Sequence, residues 1–220
     1  MIEYVVPGNI DDRILTKAAN LLSEGGTAAI PTDTSWSVVC SIKSREGIKR
    51  LKQLSKEKDA SHFTLICSSI SQFGEFCSMD NTRFRFIKSL TPGPYVFILK
   101  TLLGTEKALS LKRSEIGVRL PDYPVPLALI NTLGCPLYGI TAKRNMSVEE
   151  EEWESTEQRF ADFIPGEESL FEGGWELEDI RGLDLILDPG EERNRIFSTV
   201  LDLSSDDIQV LRQGAGQWPI

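Results

Sequence analysis

Histidine is nearly absent from this sequence, and the motifs of several common enzyme classes are missing. The only histidine is His62, which lies in an apolar strand pattern, so a Ser-His-Asp triad would have to use it. The chain has no H-E-x-x-H segment, no G-x-x-x-x-G-K-[ST] segment and no G-x-G-x-x-G segment after a predicted strand. These absences disfavour a metalloprotease, a P-loop nucleotidase and a Rossmann dehydrogenase. Any nucleotide site must use another arrangement.

Cysteines are few and scattered, and long apolar runs are missing. The four cysteines show no C-x-x-C pair, which predicts buried free thiols and neither a metal site nor disulfides: Cys40, Cys67, Cys77 and Cys135. No apolar run approaches the roughly 18 residues of a membrane span. The first residues also lack the basic and apolar regions of a signal peptide. We therefore expect a cytoplasmic protein with no membrane partner.

The length and the charge distribution suggest one domain with an acidic insertion. With 220 residues, 40% of them hydrophobic, the chain is long enough to form a single domain over 1–220 with a sizeable core. Segment 149–179 has a net charge of −12 within a total of −9, so the rest of the chain carries +3. A mildly basic body suits a polyphosphate ligand, whereas the acidic segment opposes broad nucleic-acid binding. We expect 143–182 to form an exposed acidic insertion with a helix around 149–163.

Hydrophobic periodicity predicts helices that alternate irregularly with strands. Helices are predicted over 9–24, 44–56, 80–90 and 125–133. Strands are predicted over 27–30, 36–41, 62–67, 95–100, 116–121, 136–142, 183–188, 198–203 and 208–214. Because the two types do not alternate strictly, we expect an α+β fold with a mixed sheet and flanking helices, and not a doubly wound sheet.

Hydroxyl and cationic side chains lie where several predicted strands begin or end. The turn after strand 27–30 places Thr32 and Thr34 on one side, although an ordinary Asx turn would have the same sequence. Arg119 interrupts an apolar strand, so it should pair with a carboxylate or phosphate of the protein or of a ligand. Further polar residues at strand ends are Thr141, Ser198, Thr199 and Arg212. Together these positions predict a cleft.

Five short motifs follow one another in an informative order. They are PTDT at 31–34, TPGP at 91–94, GVRLP at 117–121, STV at 198–200 and RQGAG at 212–216. In this order they resemble the YrdC-type threonylcarbamoyl-AMP synthase family over about residues 10–216, and the stretches 62–67 and 80–100 are most similar to its YciO-like branch. The resemblance implies an open, twisted sheet of parallel and antiparallel strands with a concave cleft.

The resemblance also implies a reaction. Threonine, bicarbonate and ATP with Mg²⁺ would give threonylcarbamoyl-adenylate and pyrophosphate, and the adenylate would supply the N6-threonylcarbamoyl modification of tRNA adenosine. The threonine amine takes up CO₂ as a carbamate, whose oxygen attacks the α-phosphorus. Such catalysis depends on positioning and charge neutralisation and needs no protein nucleophile. ATP is then a substrate, and we expect no tightly bound prosthetic group.

At the threonine end of the site, four residues match the family's motifs, and the resemblance implies a role for each. Thr32 and Thr34 would line this end. Arg119 would bind the threonine carboxylate, and Ser198 would assist it. The charge of Arg119 would also stabilise the reacting groups.

At the nucleotide end, some positions match the family and others depart from it. Lys52 matches the first residue of a Lys-x-Arg phosphate clamp, but Leu54 stands where the arginine is expected. Thr141-Ala142-Lys143 replaces a Ser-Ala-Asn motif near the nucleotide, and Lys143 would either supply positive charge or fill the site. Arg212 would contact phosphate or ribose. Trp36 replaces a tyrosine after the PTDT turn and is expected to keep an aromatic wall of the pocket.

The departures leave other functions open. One alternative is a catalytically impaired YciO-like paralogue that binds a nucleotide without turnover, or that binds RNA on the basic helix 44–58. Another is that the acidic segment 149–179 docks a basic protein of a tRNA-modification assembly. A charge run of either sign is also what a solvated surface shows.

Overall fold

Ten strands form one mixed sheet in the computed structural model, which describes residues 1–55, 63–105, 114–146 and 166–218. The strands are β1 (Ile2–Tyr4), β2 (Ala28–Ile30), β3 (Ser37–Ser41), β4 (Thr64–Ile66), β5 (Tyr95–Lys100), β6 (Glu115–Arg119), β7 (Leu137–Thr141), β8 (Leu185–Asp188), β9 (Thr199–Asp202) and β10 (Gln209–Arg212). Their order in the sheet is β1-β8-β2-β3-β7-β4-β6-β5-β9-β10. Parallel and antiparallel pairs both occur, which confirms the predicted mixed sheet.

Helices flank this sheet on both faces. The α-helices of the described residues are α1 (Asp12–Ser23), α2 (Arg45–Ser55), α3 (Ile70–Phe76), α4 (Asn81–Leu90) and α5 (Pro124–Leu133). Acceptor side chains at Asp11, Ser69 and Asp80 bind backbone N–H groups in the first turns of α1, α3 and α4. Gly134, at φ 72°, ends α5 in the left-handed region that favours glycine. These local signals explain why the helices begin and end where they do.

Two hydrophobic clusters lie on opposite faces of the sheet. Helices α1 and α5 pack with one cluster, which includes Val39 and Ile66. Helices α2, α3 and α4 contribute to the other cluster, which includes Val38 and Leu65. Because neighbouring residues of a strand point to opposite faces, strands β2, β3, β4, β7 and β8 contribute residues to both clusters.

The face that α1 and α5 cover is left partly open over β4, β6, β5 and β9. A Cβ on Gly139 would meet the side chains of Val39 and Ile66, which places all three residues on this face. Thr64 pairs with Gly139 and with Gly117, and a Cβ on Gly117 would meet Val96. Thr64 and Gly117 are partly exposed. This open half of the face is the floor of the cleft described below.

The acidic segment differs from the expected exposed insertion in its described part. The range 149–163, for which a helix is predicted, lies entirely outside the described residues. Within 166–182 the chain forms short 3-10 turns at Glu167–Ser169 and Gly174–Asp179. It buries Leu170, Phe171, Leu177 and Ile180. These apolar residues lie among the glutamates, so burial of their side chains fixes this half of the segment against the domain.

All four cysteines are buried and free, as the sequence predicts. Burial raises the pKa of the Cys40 and Cys77 thiols to about 12. Thiols with so high a pKa are poor nucleophiles at neutral pH. Among the helices of the described residues, none has the length and apolar character needed to cross a membrane.

Candidate functional site

The turn between β2 and β3 is closed by its own hydroxyl groups. The Thr32 hydroxyl donates to the Ser35 carbonyl at 2.6 Å and accepts from the Thr34 backbone N–H at 3.2 Å. Thr32 and Thr34 are both buried, with their hydroxyl oxygens 3.2 Å apart. Thr32 therefore shapes the turn, and Thr34 directs its hydroxyl toward residues from distant parts of the chain.

Arg119, at the end of β6, reaches this turn. Its Nη2 donates to Asp33 Oδ1 at 2.6 Å and to Thr34 Oγ1 at 2.8 Å. Burial lowers the pKa of Arg119, while the neighbouring Asp33 carboxylate opposes that shift. An arginine in a protein stays charged even so. The expected partner of the Arg119 cation is thus a carboxylate of the protein itself.

Ser198 and Arg212 complete the cluster from the other side of the cleft. Ser198 Oγ lies 3.5 Å from Thr34 Oγ1, and Arg212 Nε donates to the Ser198 carbonyl at 3.0 Å. The Arg212 guanidinium stacks over the Phe197 ring, with its Cζ 4.7 Å from the ring centroid. Burial lowers the pKa of Arg212, and the nearby Arg119 cation lowers it further. Two cations, Arg119 and Arg212, and the Asp33 carboxylate therefore lie in one cluster.

A β-bulge sets the direction of Arg212. Val210 pairs with Leu201, but the next register partner of β9 is Arg212 opposite Val200, so Leu211 is the extra residue. A bulge of this kind changes which side chain points to a given face of the sheet. It places Arg212 on the face of Val200, which pairs with Val96 on the cleft floor.

Gly214 fits here because the backbone just before β9 passes too close for a side chain. A Cβ at Gly214 would lie 2.2 Å from the Phe197 carbonyl oxygen and 2.6 Å from the Ser198 carbonyl carbon. We expect Gly214→Ala to lower the free energy of unfolding by about 1–3 kcal/mol, because the strand that holds Ser198 must shift. Urea denaturation measures this change.

The matched control is Gly8→Ala, where an added Cβ would meet no atom within 4 Å. We expect that control to leave the stability within about 0.5 kcal/mol of the wild-type value. Equal stability of the Gly214→Ala and Gly8→Ala proteins would contradict the close packing of Gly214 on β9.

The residues predicted for the nucleotide end lie beside the same turn. Thr141, which ends β7, pairs with Ser37 at the start of β3. The backbone N–H of Ala142 donates to the Trp36 carbonyl at 2.9 Å. Lys143 is partly exposed and forms a β-bridge with Leu170. The structure thus brings Thr141 and Ala142 next to the PTDT turn.

The two residues of helix α2 that match the phosphate-clamp motif, Lys52 and Leu54, lie in different environments. Lys52 is partly exposed in its last turn, and within the described residues its ammonium group has no hydrogen-bond or ion-pair partner. Leu54, by contrast, is buried in the hydrophobic cluster. Arg50 is occupied by Asp184, 2.8 Å away, and by the Gly182 carbonyl. Lys52 therefore stands partly exposed on a helix that packs against the face of the sheet opposite the open half, and Leu54 serves the core.

Sequence reasoning assigned no role to Asp33 or to Arg193, although both contact the site. Arg193 Nη2 donates to the Thr32 carbonyl at 2.7 Å, and its guanidinium lies over the Tyr123 ring, 4.3 Å from the centroid. Its backbone N–H donates to the Glu172 carbonyl, which also accepts from Trp36 Nε1. Arg193 thereby ties the turn to Glu172 in the acidic segment. It lies in a loop, where no periodicity marks it.

Trp36 is fully buried and belongs to the hydrophobic cluster on the α2 face. The expectation that it forms an aromatic wall of the pocket is therefore wrong. Its place in the sequence, directly after the turn, suggested the pocket. The alternation of β3 instead sends its side chain to the core.

The described ranges contain no group of three or more His, Cys, Asp or Glu side chains that could hold a metal ion. The polar groups that do converge are hydroxyls, guanidinium groups and the Asp33 carboxylate. They come from the β2–β3 turn, β6, the start of β9 and β10. Such a set is suited to binding carboxylate and phosphate groups.

Comparison with known proteins gives consistent matches over nearly the whole chain. The Sua5/YciO/YrdC family model, described as "Telomere recombination", matches residues 20–167. A protein named YciO from Escherichia coli (strain K12) is 30% identical over 216 residues, which cover 97% of this chain and 95% of the relative. The threonylcarbamoyl-AMP synthase of Mus musculus is 26% identical over 195 residues, which cover 86% of this chain and 62% of that protein.

Solved structures agree with the sequence matches. The crystal structure of E. coli YciO has a TM-score of 0.81 and 28% identity, covering 100% of this chain and 98% of that chain. P. abyssi Sua5, solved in complex with L-threonine, has a TM-score of 0.78 and 22% identity, covering 97% of this chain and 57% of that chain. At that identity the second match bears on the fold alone.

Proposed function

The chain belongs to the Sua5/YciO/YrdC family, and from that membership we propose that it is an ATP-dependent threonylcarbamoyl-AMP synthase. It converts threonine, bicarbonate and ATP into threonylcarbamoyl-adenylate, pyrophosphate and water, and the adenylate supplies a tRNA modification. The observation that carries the proposal is the convergence of Arg119, Thr34, Ser198 and Arg212 from separate segments. The name of the mouse relative supports the same reaction.

The amino acid binds at the buried end of the cluster. Arg119 binds the threonine carboxylate, because a guanidinium forms directed hydrogen bonds to carboxylate oxygens. The Thr34 and Ser198 hydroxyls, 3.5 Å apart, supply further polar contacts to the bound amino acid. This placement holds the amine where it takes up CO₂ as a carbamate.

The phosphates of ATP bind at the more exposed end. Arg212 and Lys52 are cations with exposed or partly exposed side chains, and Thr141, which is partly exposed, ends β7 beside the turn. Mg²⁺ would accompany ATP as its counter-ion and would supply charge neutralisation on the phosphates. The carbamate oxygen attacks the α-phosphorus and pyrophosphate departs, so positioning and charge neutralisation supply the catalysis.

Pyrophosphate release tests the proposal directly. Wild-type protein with ATP and Mg²⁺ is expected to release pyrophosphate only when both threonine and bicarbonate are present. Mass spectrometry of the same mixture should detect the threonylcarbamoyl-adenylate. Release that ignores threonine would indicate a different acceptor, and absence of release at high enzyme concentration would reject the synthase.

Leu54 favours one second candidate, a nucleotide-binding protein without turnover. The residue at this position of α2 packs in the core and cannot neutralise phosphate charge. In that case ATP or AMP binds measurably while no pyrophosphate is released. Such a protein would also be a candidate for binding short RNA, or for binding a basic protein through its acidic segment. Either interaction would weaken steeply as the salt concentration rises.

A further inference from the structure

We propose that Asp33 acts as a built-in counter-charge that makes this site select a zwitterionic α-amino acid over a simple carboxylate. The inference rests on the proposed function and deepens it, because it assigns the discrimination to one residue of the turn. Asp33 and Arg119 form a close pair in which the side chains keep only 12% and 7% of their exposure.

The pair changes what Arg119 can attract. Asp33 Oδ1 lies 2.6 Å from Arg119 Nη2, so the cation and the anion largely cancel when seen from a few ångströms away. A ligand that carries only a carboxylate is attracted by Arg119 and repelled by Asp33. The buried guanidinium alone would bind any small anion, whereas the pair binds a bare anion weakly.

A zwitterion is complementary to the same pair. In an α-amino acid the ammonium and carboxylate groups are separated by a single carbon, so each can face the opposite charge of the pair. The carboxylate then accepts from Arg119 and the ammonium donates to Asp33. Carbamate formation from the ammonium and bicarbonate releases water and one proton to solvent, and the carbamate nitrogen keeps one hydrogen that can continue to donate to Asp33.

Unused hydrogen-bonding capacity distinguishes this pair from a structural salt bridge. Arg119 Nε and Asp33 Oδ2 are buried and have no partner among the described residues. In the pair of Arg50 with Asp184, the carboxylate also accepts from the Thr27 backbone N–H, and the guanidinium also donates to the Gly182 carbonyl. Buried polar atoms in proteins are rarely left unpaired, and exceptions are typical of functional sites.

Calorimetric binding of two ligands tests the proposal. The ligands are L-threonine and 3-hydroxybutyrate, which is threonine without its amino group. We expect wild-type protein to bind threonine at least about tenfold more tightly. In Asp33→Asn this ratio should fall toward one, because threonine loses the partner of its ammonium and the bare anion loses a repulsion. Asp207→Asn, an exposed carboxylate elsewhere, should keep the wild-type ratio.

The outcomes separate this inference from the proposed function. Equal affinities of wild-type protein for the two ligands, or an unchanged ratio in Asp33→Asn, would overturn the role of Asp33 and leave the synthase standing. Wild-type protein that binds neither ligand would overturn both. If Asp33→Asn does not fold, the wild-type ratio decides, together with Asp33→Glu, which keeps the charge and should retain the preference for threonine.

Discussion

Arg119→Ala should lower kcat/KM for threonine about 10²–10³-fold in the pyrophosphate-release assay, which is the usual cost of removing one charged contact from a reacting centre. The guanidinium is buried and donates to Thr34 as well as to Asp33, so nothing else in that turn replaces it. ATP binding should change much less, since Arg212 and Lys52, and not Arg119, are proposed to bind the phosphates. A loss confined to threonine-dependent steps would therefore assign Arg119 to the amino acid.

Stability must be measured beside this activity. Removing Arg119 leaves Asp33 as a buried carboxylate without its cation, which costs about 3–5 kcal/mol in comparable buried pairs. Arg119→Lys is the matched variant, because it keeps the charge while losing the planar, two-pronged donor. We expect Lys to restore much of the stability but little of the activity. Alanine protein that is folded and retains activity within threefold of wild type would exclude Arg119 from the reaction.

Much of the fold was predictable from the sequence because most strands are apolar runs bounded by turn residues. Strand β5 occupies Tyr95–Lys100, the predicted range, directly after the TPGP turn. Two elements were missed, β1 at Ile2–Tyr4 and α3 at Ile70–Phe76. The first has three residues and the second buries Phe73 alone, so neither is long enough to show a period. The strand order depends on long-range pairing, which periodicity does not encode.

The site was predictable to the extent that its residues belong to motifs at strand ends. Thr34, Arg119, Ser198 and Arg212 were each expected, and the sheet brings them together although 85 residues separate Thr34 from Arg119. Asp33 lies in the same PTDT motif, but its carboxylate is also what an ordinary Asx turn contains. Its partnership exists only because β6 ends beside the turn. The sequence around Asp33 does not indicate that Arg119 comes close to it in the fold.

Leu54 shows why a motif position and a functional position can differ. The family pattern expects a phosphate-binding cation there, but in this chain the side chain faces the hydrophobic cluster on α2. On the same helix Lys52 is partly exposed. The two side chains are separated by two positions along the helix, about 200° around its axis, so they point to different surroundings. Charge for the phosphates must therefore come from elsewhere, and Arg212 is the structural reason to expect that turnover survives.

Trp36→Ala is expected to lower the free energy of unfolding by about 3–5 kcal/mol, the cost typical of truncating a large buried aromatic side chain. The indole is fully buried, and Nε1 donates to the Glu172 carbonyl at 3.2 Å. Truncation leaves a cavity in the cluster and removes one of the two donors to that carbonyl, the other being the Arg193 backbone N–H. Urea denaturation monitored by circular dichroism measures the change.

Trp36→Phe separates the two contributions, since it retains most of the apolar contact and loses the indole donor. We expect phenylalanine to cost clearly less than alanine and to leave the KM for ATP near the wild-type value. The comparison distinguishes a core residue from a pocket wall. If Trp36 were a wall of the pocket, its ring would contact the ligand and not the hydrophobic cluster. Both variants would then lose little stability and would show a raised KM for ATP.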